Sequence, residues 1–183
     1  MGLLSYVRSL FRGEPEELSD QPESMASERR GNERVDAREG TRVLIIDDSK
    51  TVVLAIKRFL RSAGYETFEA YDAESGLRMI HEKAPELIFL DIMLPGMNGF
   101  AALRMIRRDP LTRDIPVIMM SGNEQAMEQF YGSRIGADDF MKKPFSRDEL
   151  FFRIGRLLDD DCVPRRAKLE SDAGPVNSTP AVA

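Results

Sequence analysis

Five short apolar runs, separated by segments of helical periodicity, set the architecture of residues 41–158. The run RVLII (Arg42 to Ile46) is followed by Val52, Val53, Ile56, Phe59, Leu60 and Ala63, which recur at three and four residues until Gly64 closes the pattern. This reads as strand, helix, stop. The same alternation repeats with YETFEA (Tyr65 to Ala70) and a helix on Ala73, Leu77 and Ile80, then with ELIFL (Glu86 to Leu90) and a helix on Phe100, Leu103, Met105 and Ile106. IPVIMM (Ile115 to Met120) is the fourth strand, with Pro116 near its start because proline has no N–H to give a ladder. A helix through Met127, Phe130 and Tyr131 follows it. DDFMK (Asp138 to Lys142) is the fifth strand, leading through Pro144 to a helix with Leu150, Phe151, Ile154, Leu157 and Leu158. Near-continuous apolar strands are buried on both faces, and parallel strands need crossovers. The predicted fold is therefore α/β: a doubly wound, five-stranded parallel sheet with five helices.

Outside this block the sequence changes character. Residues 13–40 carry almost no large apolar side chain and read as a disordered acidic linker, and residues 159–183 as a second disordered tail. Residues 1–40 hold 9 acids and 6 bases, residues 159–183 hold 5 and 3, and the block between them is neutral. With a net charge of -5, the chain has no basic field of the kind that gathers nucleic acid, which is not an expected partner. One cysteine, Cys162, rules out an internal disulfide and a thiolate metal cluster. No secretory leader is evident and no apolar run is long enough to span a bilayer, so a cytoplasmic protein is expected. In residues 1–12, MGLLSYVRSLFR, the residues Leu3, Leu4, Tyr6, Val7, Leu10 and Phe11 fall on one arc of a helical wheel. Three readings stay open for it: a helix on an anionic membrane surface, a helix in a partner's groove, or a chance pattern.

In an open parallel sheet, ligands sit beyond the carboxyl ends of the strands where strand order reverses. There the sequence places Asp47 and Asp48 after the first strand, Asp91 after the third, Ser121 after the fourth and Lys143 with Pro144 after the fifth. Each has an ordinary explanation: an Asp-Asp pair can cap a helix, Lys-Pro can make a turn, and Ser-Gly can stop a strand. Their convergence on one edge is what points to chemistry. Three crowded carboxylates repel unless a cation joins them, and Mg2+ prefers hard oxygen ligands at sites with few protein carboxylates. With Lys143 and the Ser121 hydroxyl available to phosphoryl oxygens, Asp91 is placed to attack phosphorus and carry the group as an aspartyl phosphate.

The motifs IIDDSKT (Ile45 to Thr51), FLDIMLPGMNGF (Phe89 to Phe100), PVIMMSG (Pro116 to Gly122) and GADDFMKKPF (Gly136 to Phe145) resemble those of response-regulator receiver domains of two-component signalling, the CheY-like fold. The resemblance spans residues 42–158. It implies that Asp91 is phosphorylated by a sensor histidine kinase, and that Asp47, Asp48, Asp91 and the backbone carbonyl of Met93 hold Mg2+. It implies that Ser121 and Lys143 contact the phosphoryl group, and that Phe140 is the aromatic that turns inward with the Ser121 hydroxyl as a switch. It also implies a cis bond between Lys143 and Pro144. IDDSKT and GSRIGADDFMKKPFSRDEL look most like the single-domain receivers of twitching-motility, or type IV pilus, chemosensory systems. Met93 and Asn123 occupy the positions that tune acyl-phosphate hydrolysis, and an apolar Met93 implies slow self-dephosphorylation.

Only about 22 residues follow Asp161, fewer than the roughly 50 that a small domain needs, so output is expected through contact with a downstream protein. Dimerisation through the last helix is left open. The chain is expected to be a phosphoacceptor and not an enzyme. Two alternatives stand beside that reading: a phosphate sink without an effector, and an aspartyl-phosphate phosphatase. The phosphatase would need an aspartate two residues after the nucleophile, where Met93 stands.

Overall fold

The computed structural model describes residues 36–123, 125, 126, 128, 130 and 136–166. The expected helix at residues 1–12, the linker up to residue 35, Met127 and Tyr131 of the fourth expected helix, and the tail from residue 167 lie outside the described residues. Five strands, β1 (Arg42–Ile46), β2 (Glu66–Ala70), β3 (Leu87–Asp91), β4 (Val117–Ser121) and β5 (Asp139–Lys142), form one sheet in the order β2-β1-β3-β4-β5. Every pairing is parallel. The described residues contain four bounded helices: α1 (Lys50–Arg61), α2 (Ala73–Lys83), α3 (Gly99–Arg108) and α4 (Arg147–Gly155). Gln125, Ala126, Glu128 and Phe130 have helical backbone where the remaining helix is expected.

Each helix begins where a side chain replaces a missing backbone partner. The Asp72 carboxylate accepts from the Ser75 N–H at 2.7 Å, the Asn98 carbonyl from Ala101 at 2.9 Å, and the Ser146 hydroxyl from Glu149 at 3.1 Å. α2 stops at Ala84, which takes a left-handed conformation at φ 45° and donates to the Ile80 carbonyl. β4 begins just after Pro116, whose carbonyl still accepts from the Ile88 N–H at 3.0 Å.

Alternation along the strands divides the core into two layers. Leu44, Ile46, Ile88, Leu90 and Met119 face α2 and α3 with Ile80, Leu103 and Ile106. Val43, Ile45, Phe89, Ile118 and Met120 face α1 and α4 with Ile56, Leu60, Leu150 and Ile154. β3 and β4 are buried throughout, because both faces are covered. One expected core residue lies elsewhere: Met105 is 49% exposed, since Gly99, Phe100, Ala102, Leu103 and Ile106 supply the buried stripe of α3.

The packed region runs past both expected boundaries. Ala37 is buried and its N–H donates to the Tyr65 hydroxyl at 3.0 Å, inside what reads in sequence as linker. After α4 the chain turns at Asp159, forms an antiparallel bridge between Leu158 and Pro164, and continues to Arg166. The Arg38 N–H donates to the Cys162 carbonyl at 3.1 Å, joining the two flanking segments. Residues 159–166 are thus part of the fold, not of a tail.

Candidate phosphoacceptor site

Strand order reverses between β1 and β3, so the crevice that parallel sheets use for ligands opens at the carboxyl ends of these two strands. Asp47 directly follows β1 and Asp91 ends β3. Both are buried, at 0% and 3% exposure, whereas Asp48 faces solvent. Carboxylate oxygens of Asp47, Asp48 and Asp91 lie within 4.8 Å of one another.

Each buried carboxylate is held from two sides. Asp47 Oδ1 accepts from the Ser49 N–H at 3.0 Å and Asp91 Oδ1 from the Met93 N–H at 3.2 Å, in both cases from an amide two residues on. The Oδ2 atoms face a single cation, with Lys143 Nζ 2.6 Å from that of Asp47 and 2.9 Å from that of Asp91. The Lys143–Pro144 bond, just past β5, is cis. One ammonium does not balance three carboxylates. Burial raises the Asp47 carboxyl above its ordinary range, although Lys143 and the Ser49 amide pull it down. Asp47 Oδ2 is also buried without an aligned hydrogen bond, despite lying within ion-pair distance of Lys143. Excess negative charge, an under-satisfied oxygen and a hard-oxygen donor set fit a small divalent cation.

Ser121 ends β4 and is buried, and its hydroxyl accepts from the Asn123 N–H at 3.1 Å. The Lys143 N–H donates to the Ser121 carbonyl at 2.9 Å, so serine and lysine are tied through adjacent strand ends. Phe140 is buried, its ring centroid 5.1 Å from that of Phe130. The Met93 side chain is 57% exposed at the rim.

Gly99, inside the FLDIMLPGMNGF motif, has a packing role. A Cβ there would lie 2.1 Å from the Asp91 carbonyl oxygen, and the Gly99 N–H donates to the Ile92 carbonyl at 3.0 Å. The first turn of α3 therefore rests on the backbone that carries Asp91, which no side chain beyond hydrogen permits. An Asn cap followed by glycine at a helix start was the available signal.

Comparison with known proteins agrees with this geometry. The family described as response regulator receiver domain matches residues 43–155. The chain is 37% identical over 142 residues to the DNA-binding dual master transcriptional regulator RpaA of Synechocystis sp., covering 76% of this chain and 59% of the relative. It is 40% identical over 119 residues to the phosphate regulon transcriptional regulatory protein PhoB of Pseudomonas aeruginosa, covering 65% and 52%. It thus spans a little over half the length of these curated relatives. Among solved structures, the Francisella response regulator 1452 receiver domain matches at 31% identity and TM-score 0.57, covering 64% of this chain and 95% of that one. The Vibrio cholerae chemotaxis protein CheY4 matches at 26% identity and TM-score 0.60, covering 65% and 99%. With its parallel sheet, its paired acids at the switch point and its family match, the chain belongs to the response regulator receiver domain family.

Proposed function

We propose that this chain is the phosphoacceptor of a two-component system, taking a phosphoryl group onto Asp91 from a phosphohistidine on a sensor kinase and signalling by phosphorylation-dependent protein binding. The observation that carries the reading is Asp91 Oδ2 at 2.9 Å from Lys143 Nζ, with Asp47 and Asp48 alongside. The carboxylate Oδ2 forms a bond to phosphorus as the P–N bond to the donor imidazole breaks, and the ring nitrogen leaves with the bonding pair. Lys143 shifts from Asp91 toward the incoming oxygens and offsets their charge, in a reaction where positioning and electrostatics supply most of the catalysis. Mg2+, held by Asp47, Asp48, Asp91 and the Met93 carbonyl, would neutralise further phosphoryl charge when bound. Ser121 donates its hydroxyl to a phosphoryl oxygen, and Phe140 packs behind it as the switch aromatic.

On this reading the chemistry of the chain is confined to its own phosphorylation and dephosphorylation, and the protein works in the cytoplasm with its kinase. No helix among the described residues is long and apolar enough to cross a membrane. The DNA-binding and transcriptional roles are those of the whole relatives RpaA and PhoB; here we assign output to a protein partner that prefers the phosphorylated form. The resemblance of IDDSKT and GSRIGADDFMKKPFSRDEL to twitching-motility receivers favours a place in pilus-driven movement.

The test is labelling from acetyl phosphate with magnesium, read as a mass gain of one phosphoryl group on Asp91. Asp91→Asn should abolish it. Continuous release of phosphate over many turnovers would instead identify a phosphatase, and a fully labelled chain that captures no partner would identify a sink.

A further inference from the structure

Lys143 stands at the end of a strand with a single neighbour. Among the described residues β5 is an edge strand that pairs only with β4, over four residues, which is little ladder to fix the position of a reactive group. Its other end is anchored far more heavily. Asp138, the residue before β5, has a side chain only 1% exposed. Its Oδ2 accepts from Arg107 at 2.7 Å and from the Val117 N–H at 2.8 Å, and its Oδ1 from Arg166 Nε at 3.1 Å. The Gly136 carbonyl accepts from the same two arginines, Arg107 at 2.7 Å and Arg166 at 3.3 Å. Residues 136–138 are therefore clamped by one guanidinium from α3 and one from the segment that folds back after α4.

At the Asp138 carboxylate itself, one guanidinium already matches the charge. Arg107 alone would compensate Asp138, and adding Arg166 places two like charges on one carboxylate. Arg107 is accordingly pushed down to about 10, first by burial and further by Arg166, against the pull of Asp138. Arg166 is held in place by directional bonds: besides Asp138 and Gly136, it donates to the Arg113 carbonyl at 3.3 Å. A planar guanidinium spreads its donors over three nitrogens and so reaches three separated acceptors on two segments, whereas an ammonium has its three donors on one nitrogen and needs acceptors that converge there. The arrangement restrains position more than it balances charge.

We propose that Arg166 is a positioning residue for the phosphoryl chemistry. The clamp of Arg107, Asp138 and Arg166 sets where β5 enters the sheet, and so where Lys143, five residues on, stands against Asp47 and Asp91. A strand is nearly inextensible at about 3.3 Å per residue, so a shift at its start is carried to its end. A misplacement of about 1 Å at the reacting groups can cost on the order of 100-fold in rate. The proposal rests on the phosphoacceptor reading, and it brings the segment beyond α4 into control of the site.

The experiment compares the full chain with Arg166→Ala and Arg166→Lys in three measurements: amide hydrogen exchange, labelling rate from acetyl phosphate, and magnesium affinity by calorimetry. In Arg166→Ala the amides of residues 140–143 should exchange roughly tenfold faster while β1 and β3 are unchanged. Labelling should slow about three- to tenfold, with magnesium affinity held within about twofold because Asp47 and Asp91 sit on the central strands. Arg166→Lys should recover part of the loss, since it reaches Asp138 but not all three acceptors. Unchanged β5 exchange in Arg166→Ala would overturn the proposal, as would slower labelling with an equal fall in magnesium affinity, which marks general loosening. Absence of label on the parent chain would overturn the phosphoacceptor reading instead, and the exchange data would then decide the clamp alone.

Discussion

Replacing Gly99 by alanine should separate damage to the phosphoacceptor site from loss of stability. The added Cβ would meet three backbone atoms: the Asp91 carbonyl oxygen at 2.1 Å, its carbon at 2.9 Å and Ile92 Cα at 2.9 Å. None can rotate away, so α3 and the chain after β3 must part by roughly 1.3 Å to bring the 2.1 Å contact out to an ordinary distance of about 3.4 Å. Overpacking of this kind costs about 1–3 kcal/mol, and backbone partners place it at the upper end. The better helix propensity of alanine returns at most about 1 kcal/mol. A net loss of about 2–3 kcal/mol should lower the thermal midpoint by about 10 °C for a domain of this size. Because the displaced backbone carries Asp91, labelling of the folded protein should also fall about 100-fold. Gly76→Ala is the control: its Cβ would lie 2.5 Å from Ile46 Cδ1, the far end of a flexible side chain, and 3.0 and 3.1 Å from Cγ1 and Cγ2 of the same side chain, with no backbone atom among the three nearest. It should lose comparable or less stability and label at close to the parent rate. The assay is initial labelling by intact mass at a temperature where each variant is folded. If Gly99→Ala labels within about twofold of the parent, or Gly76→Ala loses as much of its labelling rate as Gly99→Ala, the reasoning is refuted.

Further outcomes follow from the same geometry. Lys143→Met removes the cation between Asp47 and Asp91 and should slow labelling about 100- to 1000-fold, while leaving magnesium binding measurable by calorimetry. Met93→Asn puts a polar group at the exposed rim, where it can orient water, and should shorten the lifetime of the acyl phosphate several-fold, read by the decay of the labelled mass. Burial pushes the Glu86 carboxyl up, but the Arg42 amide and the Arg38 and Arg42 guanidiniums pull it below its ordinary 4.5. Its ionised form therefore adds stability that is complete above about pH 5 and lost as pH falls through the depressed value. Thermal melts should show Glu86→Gln less stable by about 1 kcal/mol at pH 7, with the gap to the parent narrowing as pH falls below the ordinary 4.5.

The central strands were legible because burial on both faces leaves an unbroken apolar run, as in LIFLD and VIMMS. The site was legible because topology alone carries the ends of β1, β3, β4 and β5 to one edge. Contacts between distant polar residues leave no such trace. The segment 159–166 has the composition of a tail, yet Arg165 meets Asp159 at 2.8 Å and Arg166 reaches back to Asp138. Periodicity cannot register pairings that depend on a turn made elsewhere. Met105 shows the opposite failure: its apolarity suggested the core, but it lies off the stripe formed by Phe100, Leu103 and Ile106. The packing role of Gly99 was not legible, because close approach of two backbones has no sequence period.

The backbone bond from Arg38 to Cys162 gathers both flanking segments at the pole where the strands begin, about 17 Å of strand away from Asp91. Among the described residues, this contact lies at the pole opposite the carboxylates of Asp47 and Asp91. A reporter placed at Cys162 would register a change at those carboxylates through the strands between them, as a load is felt through a rod.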